Sequence, residues 1–256
     1  YKHNPEFTML EAYEVYGDYD RWQLQVQEIV QEAAEAIFGS QVARRVDAEG
    51  EIQEFDISGT WRAVTVNEAI SEALGEEVTA DTDISALKKL CDAAGVPYAP
   101  NWGRGQVVLE MYEHLVEHRT VLPTFYRDFP KDVSPLTRQH RLDDRLAERW
   151  DLVGWGAEIG TGYSELIDPV EQRARFTEQS LLAAGGDPEA STVGEERRDE
   201  GGEIEPLPPG RALRVSRCEQ RVARPGEGDR RGDEEEADAA GRPGGAAAVS
   251  RWSWEA

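Results

Sequence analysis

The chain has 256 residues, of which 31% are charged, and its formal net charge is −23 at pH 7. A chain of this length can bury one hydrophobic core, or one domain followed by a tail. The negative charge excludes this segment as the main contact with a nucleic acid, because phosphate groups are bound by clustered lysine and arginine.

Two further features of the composition limit the class of protein. No apolar run is long enough to span a bilayer, and the start lacks the basic and then apolar pattern of a signal peptide, so we expect no membrane contact from this segment. Cys91 and Cys218 are too few and too far apart for a disulfide framework or a cysteine metal site. This cysteine usage favours a reducing cytoplasm.

Residues 3 to 16 alternate in the way that is typical of a strand. Phe7, Met9, Glu11 and Tyr13 fall on one face of this strand. The face therefore combines aromatic, apolar and acidic groups, as expected for the wall of a polar and aromatic pocket.

The next part of the chain predicts helices and short strands. Three of the helices end at Gly39, Gly75 and Gly95, because glycine readily takes the left-handed backbone found at helix C-termini. We interpret residues 64 to 120 as a small helical insertion on a sheet core. The predicted elements are a helix within 17–39, strands near 52–57 and 61–66, and helices at 67–74, 84–94 and 101–118.

A β-hairpin is predicted between residues 149 and 158, with the two-residue loop Trp155–Gly156. In that register Val153 lies opposite Glu158, and Asp151 lies diagonally across on the same face. Two carboxylates so close repel each other unless a cation lies between them, and a hard divalent ion with oxygen ligands fits this place. An edge hairpin with solvated acids is the alternative.

The segment after the hairpin contains a further acid and a helix start. Strict alternation places Glu165 on the opposite face from Glu158, but a bulge near Gly160 or Gly162 would bring both acids into one pocket. The predicted helix start consists of Asp168 as N-cap, Pro169 at the first helical position and Glu171 closing a capping box.

The composition changes after about residue 190. Residues 191–256 are rich in Gly, Arg, Glu and Pro and have no helical or strand periodicity, so we expect a disordered tail with few contacts to the core. The acidic run from Asp233 to Glu236 fits a solvated segment better than a metal site. We therefore predict a domain at 1–190 and a disordered tail at 191–256.

Two blocks of this sequence resemble the class II lysyl-tRNA synthetases. "HNPEFTMLEAY", from His3 to Tyr13, resembles the end of motif 2, and "EIGTGYSELIDPVEQRARF", from Glu158 to Phe176, resembles the segment in which the glutamate of "SEL" receives the ε-ammonium group of lysine. "VLPTFYRDFPKDVSPL" resembles the strand that leads to the family's "SPL" segment. The resemblance covers residues 3–190 and is strongest to the branch fused to a lysyl-phosphatidylglycerol synthase.

The resemblance implies an α+β fold, namely a partial class II aminoacyl-tRNA synthetase core in which an antiparallel sheet is flanked by helices. It also implies ATP-dependent activation of lysine and transfer to tRNA(Lys), with Mg²⁺ as cofactor, ATP as substrate and a homodimer in the intact parent. The implied location is cytoplasmic, with membrane association only if the parent carries the lysyl-phosphatidylglycerol synthase.

The family's site residues carry over onto eight positions. A pair of carboxylates selects a long cationic side chain, because only that partner relieves their burial. The family usually has asparagine where this chain has Thr161, near the substrate carboxylate, and threonine offers no amide donor. The implied sites are Glu11, Tyr13, Thr161 and Glu165 for lysine, His3 and Phe7 for ATP, and Asp151 and Glu158 for Mg²⁺.

Motif 1 and the arginines of motifs 2 and 3 do not occur in this sequence, so no catalytic residue is assigned and we expect impaired activity. A frameshift near residue 190, or an unusual fusion there, would account for the loss of motif 3. Two alternatives remain open, a lysyl ligase that acts on a translation factor and an inactive remnant without catalysis. "SELIDPVEQ" favours the tRNA enzymes over the first alternative.

Overall fold

The computed structural model describes residues 9–47, 50–184 and 247–252. The strands in this part of the chain are β1 (Glu11–Val15), β2 (Val42–Val46), β3 (Ile52–Asp56), β4 (Arg62–Thr65), β5 (Thr124–Pro130), β6 (Leu146–Gly154), β7 (Ala157–Ser164) and β8 (Ala247–Trp252). The helices are α1 (Tyr19–Phe38), α2 (Val66–Leu74), α3 (Ile84–Ala94), α4 (Arg104–Leu115) and α5 (Pro169–Ala184), with 3₁₀ turns at Glu117–Arg119 and Lys131–Val133.

The main sheet has six strands in the order β1-β8-β7-β6-β5-β4, and β2 and β3 form a separate hairpin. The predicted α+β class with a sheet flanked by helices is confirmed. One pairing departs from the antiparallel expectation, since β4 runs parallel to β5. The chain between these two strands passes through α2, α3 and α4, which provides the crossover that a parallel pair requires.

The two faces of the sheet are covered differently. On one face, α1 buries Trp22 and Val26 against Trp150 and Leu152 of β6. On the other face, α2, α3 and α4 cover the half formed by β4 to β6. Within the described residues, no helix covers the half formed by β1, β8 and β7 on this second face, where Tyr13 is 62% exposed.

The predicted helix ends are confirmed for α1, α2 and α3. Gly39, Gly75 and Gly95 take φ values of 71°, 73° and 74°, in the left-handed region where a side chain is disfavoured. Strand β2 was not predicted. Its burial pattern runs from half-buried to exposed, so the apolar alternation that marks a strand in a sequence is weak.

The start of α5 confirms part of the predicted cap. The Asp168 carboxylate accepts hydrogen bonds from the backbone N–H groups of Val170 and Glu171 at 2.8 and 3.3 Å, as an N-cap does. The prediction that Glu171 closes a capping box is wrong, because its carboxylate accepts instead from Arg175 Nε at 2.9 Å, one helical turn later.

Strand β8 departs from the expectation of a tail without structure. Residues Ala247–Trp252 pair antiparallel with both β1 and β7. The physical reason is that β1 and β7 each present an unpaired edge to the gap between them, and a backbone of almost any sequence can pair with such edges. The proposed domain boundary near 190 falls among residues outside the described part and stays a prediction.

Candidate functional site

The hairpin between β6 and β7 has the predicted loop and register. Trp155 and Gly156 take positive φ values of 55° and 78°, which closes a tight two-residue turn. The turn is anchored, because the N–H of Trp155 donates to the Val121 carbonyl at 3.0 Å and that of Gly156 to the Thr120 carbonyl at 2.8 Å. Val153 pairs with Glu158 as predicted.

A bulge in β7 brings the acids of the hairpin onto one face. Leu152 pairs with Gly160 while the next residue of β6, Val153, pairs with Glu158, so Ile159 is the extra residue. Alternation then restarts, and Thr161 lies directly opposite Asp151. The predicted bulge is therefore present, one residue before the first of the two glycines.

The second of these glycines has a packing role. A Cβ atom built on Gly162 would lie 2.2 Å from Cζ2 of the Trp150 indole. Trp150 pairs with Gly162 across the hairpin and lies in the core against α1. Gly162 thus makes room for the largest buried side chain behind the candidate site.

The strand pairings place three of the residues implied for lysine binding on one surface of the sheet. Thr161 pairs with Arg251, and Arg251 pairs in turn with Glu11 of β1. Two strand spacings of about 4.8 Å each separate Glu11 from Thr161. Tyr13 lies beside Glu11 and donates its hydroxyl hydrogen to Glu11 Oε2 at 3.2 Å.

Glu165 continues this surface just past the end of β7. Its backbone forms an antiparallel bridge with Thr137, and alternation from Thr161 places its side chain on the same face. The side chain is partly buried, and burial raises the pKa of Glu165 from 4.5 to about 7. A carboxyl group in this condition gains most from a cationic ligand that restores its ionised form.

Thr161 makes a hydrogen bond within the hairpin. Its hydroxyl donates to the carbonyl of Trp150 at 3.2 Å. A hydroxyl has a single hydrogen to donate, so this bond competes with donation to a substrate carboxylate. Thr161 therefore shapes the floor between Glu11 and Asp151, and its role as a ligand for the substrate stays a prediction.

The two acids implied for Mg²⁺ share a face with an arginine. Arg149 donates to Asp151 through Nε to Oδ1 at 3.0 Å and through Nη2 to Oδ2 at 2.7 Å, and its guanidinium lies 4.4 Å from the Phe129 ring centroid. Burial lowers the pKa of Arg149, but the charges of Asp151 and then Glu158 outweigh it, so the net shift is upward. Arg149 is thus paired with Asp151 and lies near enough to Glu158 for its charge to act on the guanidinium.

The described residues contain no cluster of three or more His, Cys, Asp or Glu side chains that could hold a metal. Two carboxylates on one face nevertheless fit Mg²⁺, since this ion is often bound by one or two carboxylates together with substrate phosphates and water. Asp151 and Glu158 supply oxygen donors of the right kind. Arg149 donates to both oxygens of Asp151, so a metal ion at Asp151 must share these oxygens with Arg149 or displace it.

Sequence reasoning missed two arginines that the structure brings to this site. Arg149 lies two residues before Asp151 on one strand, so the spacing alone put both charges on one face. Arg175 lies four residues after Glu171 on α5, a spacing that predicts an ion pair. Of the implied site residues, His3 and Phe7 lie outside the described part of the chain.

The comparison with protein families decides the membership of this chain. The family model described as tRNA synthetases class II (D, K and N) matches residues 1–192. The chain belongs to this family. The class II synthetases of this family are ligase-type enzymes.

Curated relatives show which members of the class II family this chain is similar to. The bifunctional proteins for lysylphosphatidylglycerol biosynthesis, LysX, from Mycobacterium marinum and Mycolicibacterium vanbaalenii are each 58% identical over 196 residues, which is 77% of this chain and 18% of the relative. The LysX of Mycobacterium avium is also 58% identical over 196 residues and is covered to 17%. The chain thus spans less than a fifth of these relatives. Within the described residues, no helix of this class II chain has the length and apolar character needed to cross a bilayer.

Proposed function

We propose that this chain carries the lysine- and ATP-binding face of a lysine–tRNA ligase, which activates lysine with ATP and transfers it to tRNA(Lys). The observation that carries the proposal is Glu165, a partly buried carboxyl group whose pKa is raised to about 7 by burial. It lies on the same sheet face as Glu11 and Tyr13, which form a second polar group across the open half of the sheet.

Lysine fits this face better than the other two amino acids of the family, aspartate and asparagine. A side-chain ammonium group restores the ionised form of Glu165 and is attracted by Glu11, whereas an aspartate side chain is repelled by both. The name of the relatives, which refers to lysylphosphatidylglycerol biosynthesis, also contains lysine. Both arguments support the same substrate.

The reaction proposed has two steps, without a covalent enzyme intermediate. A carboxylate oxygen of lysine attacks the α-phosphorus of ATP, and pyrophosphate leaves as lysyl-adenylate forms. A terminal ribose hydroxyl of tRNA then attacks the lysyl carbonyl, its proton is lost to solvent, and AMP leaves. Glu165 and Glu11 hold the ε-ammonium group in both steps, which fixes the reacting carboxyl group relative to the nucleotide.

Asp151 and Glu158 are the residues that we assign to the Mg²⁺ bound with ATP. When bound, this ion neutralises negative charge on the phosphates. Arg149 balances the two acids before the nucleotide arrives, and its guanidinium can then donate to phosphate oxygens in place of Asp151. His3 and Phe7 are proposed for the terminal phosphates and for stacking on adenine.

A translation factor as lysine acceptor, and a remnant that binds lysine without catalysis, are the competing functions. All three share the lysine face; the two ligases differ in the final acceptor, and the remnant transfers lysine to none. We also propose that the whole protein is a homodimer, and that it is cytoplasmic unless a fused lysyl-phosphatidylglycerol synthase attaches it to a membrane.

The experiment that tests the proposal measures binding and exchange on the 256-residue chain. Calorimetry with lysine, aspartate and asparagine gives the amino acid, and lysine-dependent exchange of pyrophosphate into ATP gives the first step. We expect lysine to bind and aspartate and asparagine not to bind. In Glu165→Gln the affinity for lysine should fall roughly 30-fold or more, because the buried cation then lacks its charged partner. Equal binding of aspartate contradicts the proposal, and lysine binding without exchange identifies the remnant.

A further inference from the structure

Arg175 is a buried arginine on α5, a helix whose other arginine, Arg173, is exposed. Its residue exposure is 5%. The guanidinium donates through Nε to Glu171 at 2.9 Å and through Nη1 to the carbonyl oxygens of Ser134 and Thr137 at 3.2 and 2.5 Å. One side chain therefore ties helix α5 to the turn at residues 134–137.

This turn holds the backbone on both sides of Glu165. Thr137 forms the antiparallel bridge with Glu165. The N–H of Arg138 donates to the Ser164 carbonyl at 2.8 Å, and the N–H of Leu166 donates to the Leu136 carbonyl at 3.1 Å. The position of Glu165 thus depends on a turn whose carbonyl oxygens are bonded by Arg175.

In the described part of the chain, Arg175 is not ion-paired with Glu165. Its ion-pair partner is Glu171, whose carboxylate lies 2.9 Å from Nε. Burial is the cause of the raised pKa of Glu165, which a guanidinium paired with that carboxyl group would instead lower. Arg175 therefore fixes the backbone of Glu165 and leaves its carboxyl group available to a ligand cation.

We propose that Arg175 is a positioning residue for lysine recognition, which holds Glu165 in its partly buried place through the 134–137 turn. This inference rests on the proposed function of Glu165 as the acceptor of the ε-ammonium group. Glu171 takes part as the counter-ion that keeps the Arg175 guanidinium on the turn and off Glu165.

The test is calorimetric titration of the full chain with lysine at several values between about pH 6 and 9, for the parent and the variants Arg175→Gln, Arg175→Lys, Glu165→Gln and Arg173→Gln. We expect roughly 10- to 100-fold weaker lysine binding in Arg175→Gln, because a displaced acceptor makes poor contact with its ligand. Arg173→Gln, on the exposed side of the same helix, should bind as the parent does.

The pH dependence separates positioning from a general loss of structure. In the parent, lysine affinity should rise with pH up to about 7, where Glu165 ionises. In Arg175→Gln this rise should move to lower pH, since a loosened turn admits water to the carboxyl group. If Arg175→Gln does not fold, Arg175→Lys decides, because it keeps the charge and one donor and should show the same shift in weaker form.

One outcome would refute the positioning role of Arg175, and another would refute the proposed function of Glu165. Parent-like affinity and pH dependence in a folded Arg175 variant, with lysine binding lost in Glu165→Gln, refute the inference and keep the proposed function. Unchanged lysine binding in Glu165→Gln refutes the proposed function and the inference with it.

Discussion

Both oxygens of the Asp151 carboxylate are held by Arg149, at 3.0 Å from Nε and 2.7 Å from Nη2. The Asp151 side chain is only 5% exposed, and that of Arg149 is 22% exposed. A divalent ion that binds Asp151 must therefore share its oxygens with an ion pair that is already shielded from water, or displace it. Metal binding at Asp151 therefore depends on whether the Arg149 guanidinium can move away from this carboxylate.

The first prediction concerns Arg149→Gln. The two acids lose the cation that balances them, so Mn²⁺, as a probe for Mg²⁺, should bind the nucleotide-free variant about 10-fold more tightly than the parent. Without metal, the variant should lose up to about 3 kcal/mol of unfolding free energy, because Asp151 is left buried without a partner. Calorimetry measures the first quantity and urea unfolding the second.

Arg44→Gln is the control for this prediction. Arg44 forms an ion pair with Glu54 in which both side chains are largely exposed, at 43% and 54%. Loss of such a pair should cost at most about 1 kcal/mol and leave Mn²⁺ binding unchanged. Parent-like Mn²⁺ affinity in Arg149→Gln would show that the guanidinium does not compete for Asp151.

The second prediction concerns stability as a function of pH in Glu165→Gln. The pKa of Glu165 is about 7 in the folded chain and 4.5 as the ordinary value. Stability from the neutral carboxyl group is therefore fully present below about pH 4.5 and is lost as pH rises to about 7. Glutamine is never ionised, so the variant should gain about 2–3 kcal/mol over the parent at pH 8 relative to pH 4.

Glu35→Gln, on an exposed position of α1, is the control for this pH series. Its effect on unfolding free energy should stay within about 0.5 kcal/mol, as for most surface changes. A Glu165→Gln variant whose stability relative to the parent is the same at pH 4 and pH 8 contradicts the burial of this carboxyl group. If Glu165→Gln gains unfolding free energy at pH 8 and also binds lysine more weakly, Glu165 serves recognition at a cost in stability.

The third prediction tests the packing behind the site through Gly162→Ala. The added Cβ would lie 2.2 Å from the Trp150 ring, so the indole or the strand must move. Overpacking of a core costs roughly 1–3 kcal/mol, and we expect the upper part of that range because Trp150 is fully buried. Gly39→Ala, which meets no atom within 4 Å, serves as control and should lose only about 1 kcal/mol from its backbone conformation.

The local features of this fold could be predicted from the sequence because they rest on short-range rules. The glycines that end α1 to α3 and the Trp155–Gly156 turn depend on the backbone preferences of one or two residues. The register of the hairpin followed from its loop length, and it placed Asp151 and Glu158 on one face.

The remaining features depend on partners that are distant in sequence. Strand β8 pairs with β1 and β7 because both have free edges, which its own residues do not reveal. Glu171 stands at the capping-box position but binds Arg175 one turn later, and it is the bond of Arg175 to the turn at 134–137 that its sequence neighbours do not reveal. Only the assembled sheet shows that this turn lies beside Glu165.

The last prediction compares the two acids proposed for the ε-ammonium group of lysine. Glu11 is exposed, whereas Glu165 is partly buried. Water screens the charge of Glu11, so Glu11→Gln should weaken lysine binding by only about 3- to 10-fold, against roughly 30-fold or more for Glu165→Gln. Calorimetric titration of the full chain with lysine measures both changes under the same conditions.

Glu14, on the other face of strand β1, is the control for Glu11. The Glu14 side chain accepts from Arg21 Nε at 2.6 and 2.7 Å, and it lies three positions after Glu11, so it is on the opposite face of the strand. Glu14→Gln should leave lysine affinity unchanged. Tyr13→Phe removes the hydroxyl bond to Glu11 and should cost at most about 1 kcal/mol of binding free energy. A loss in Glu11→Gln as large as that in Glu165→Gln would contradict this ranking, because it requires lysine to exclude water from Glu11 when it binds.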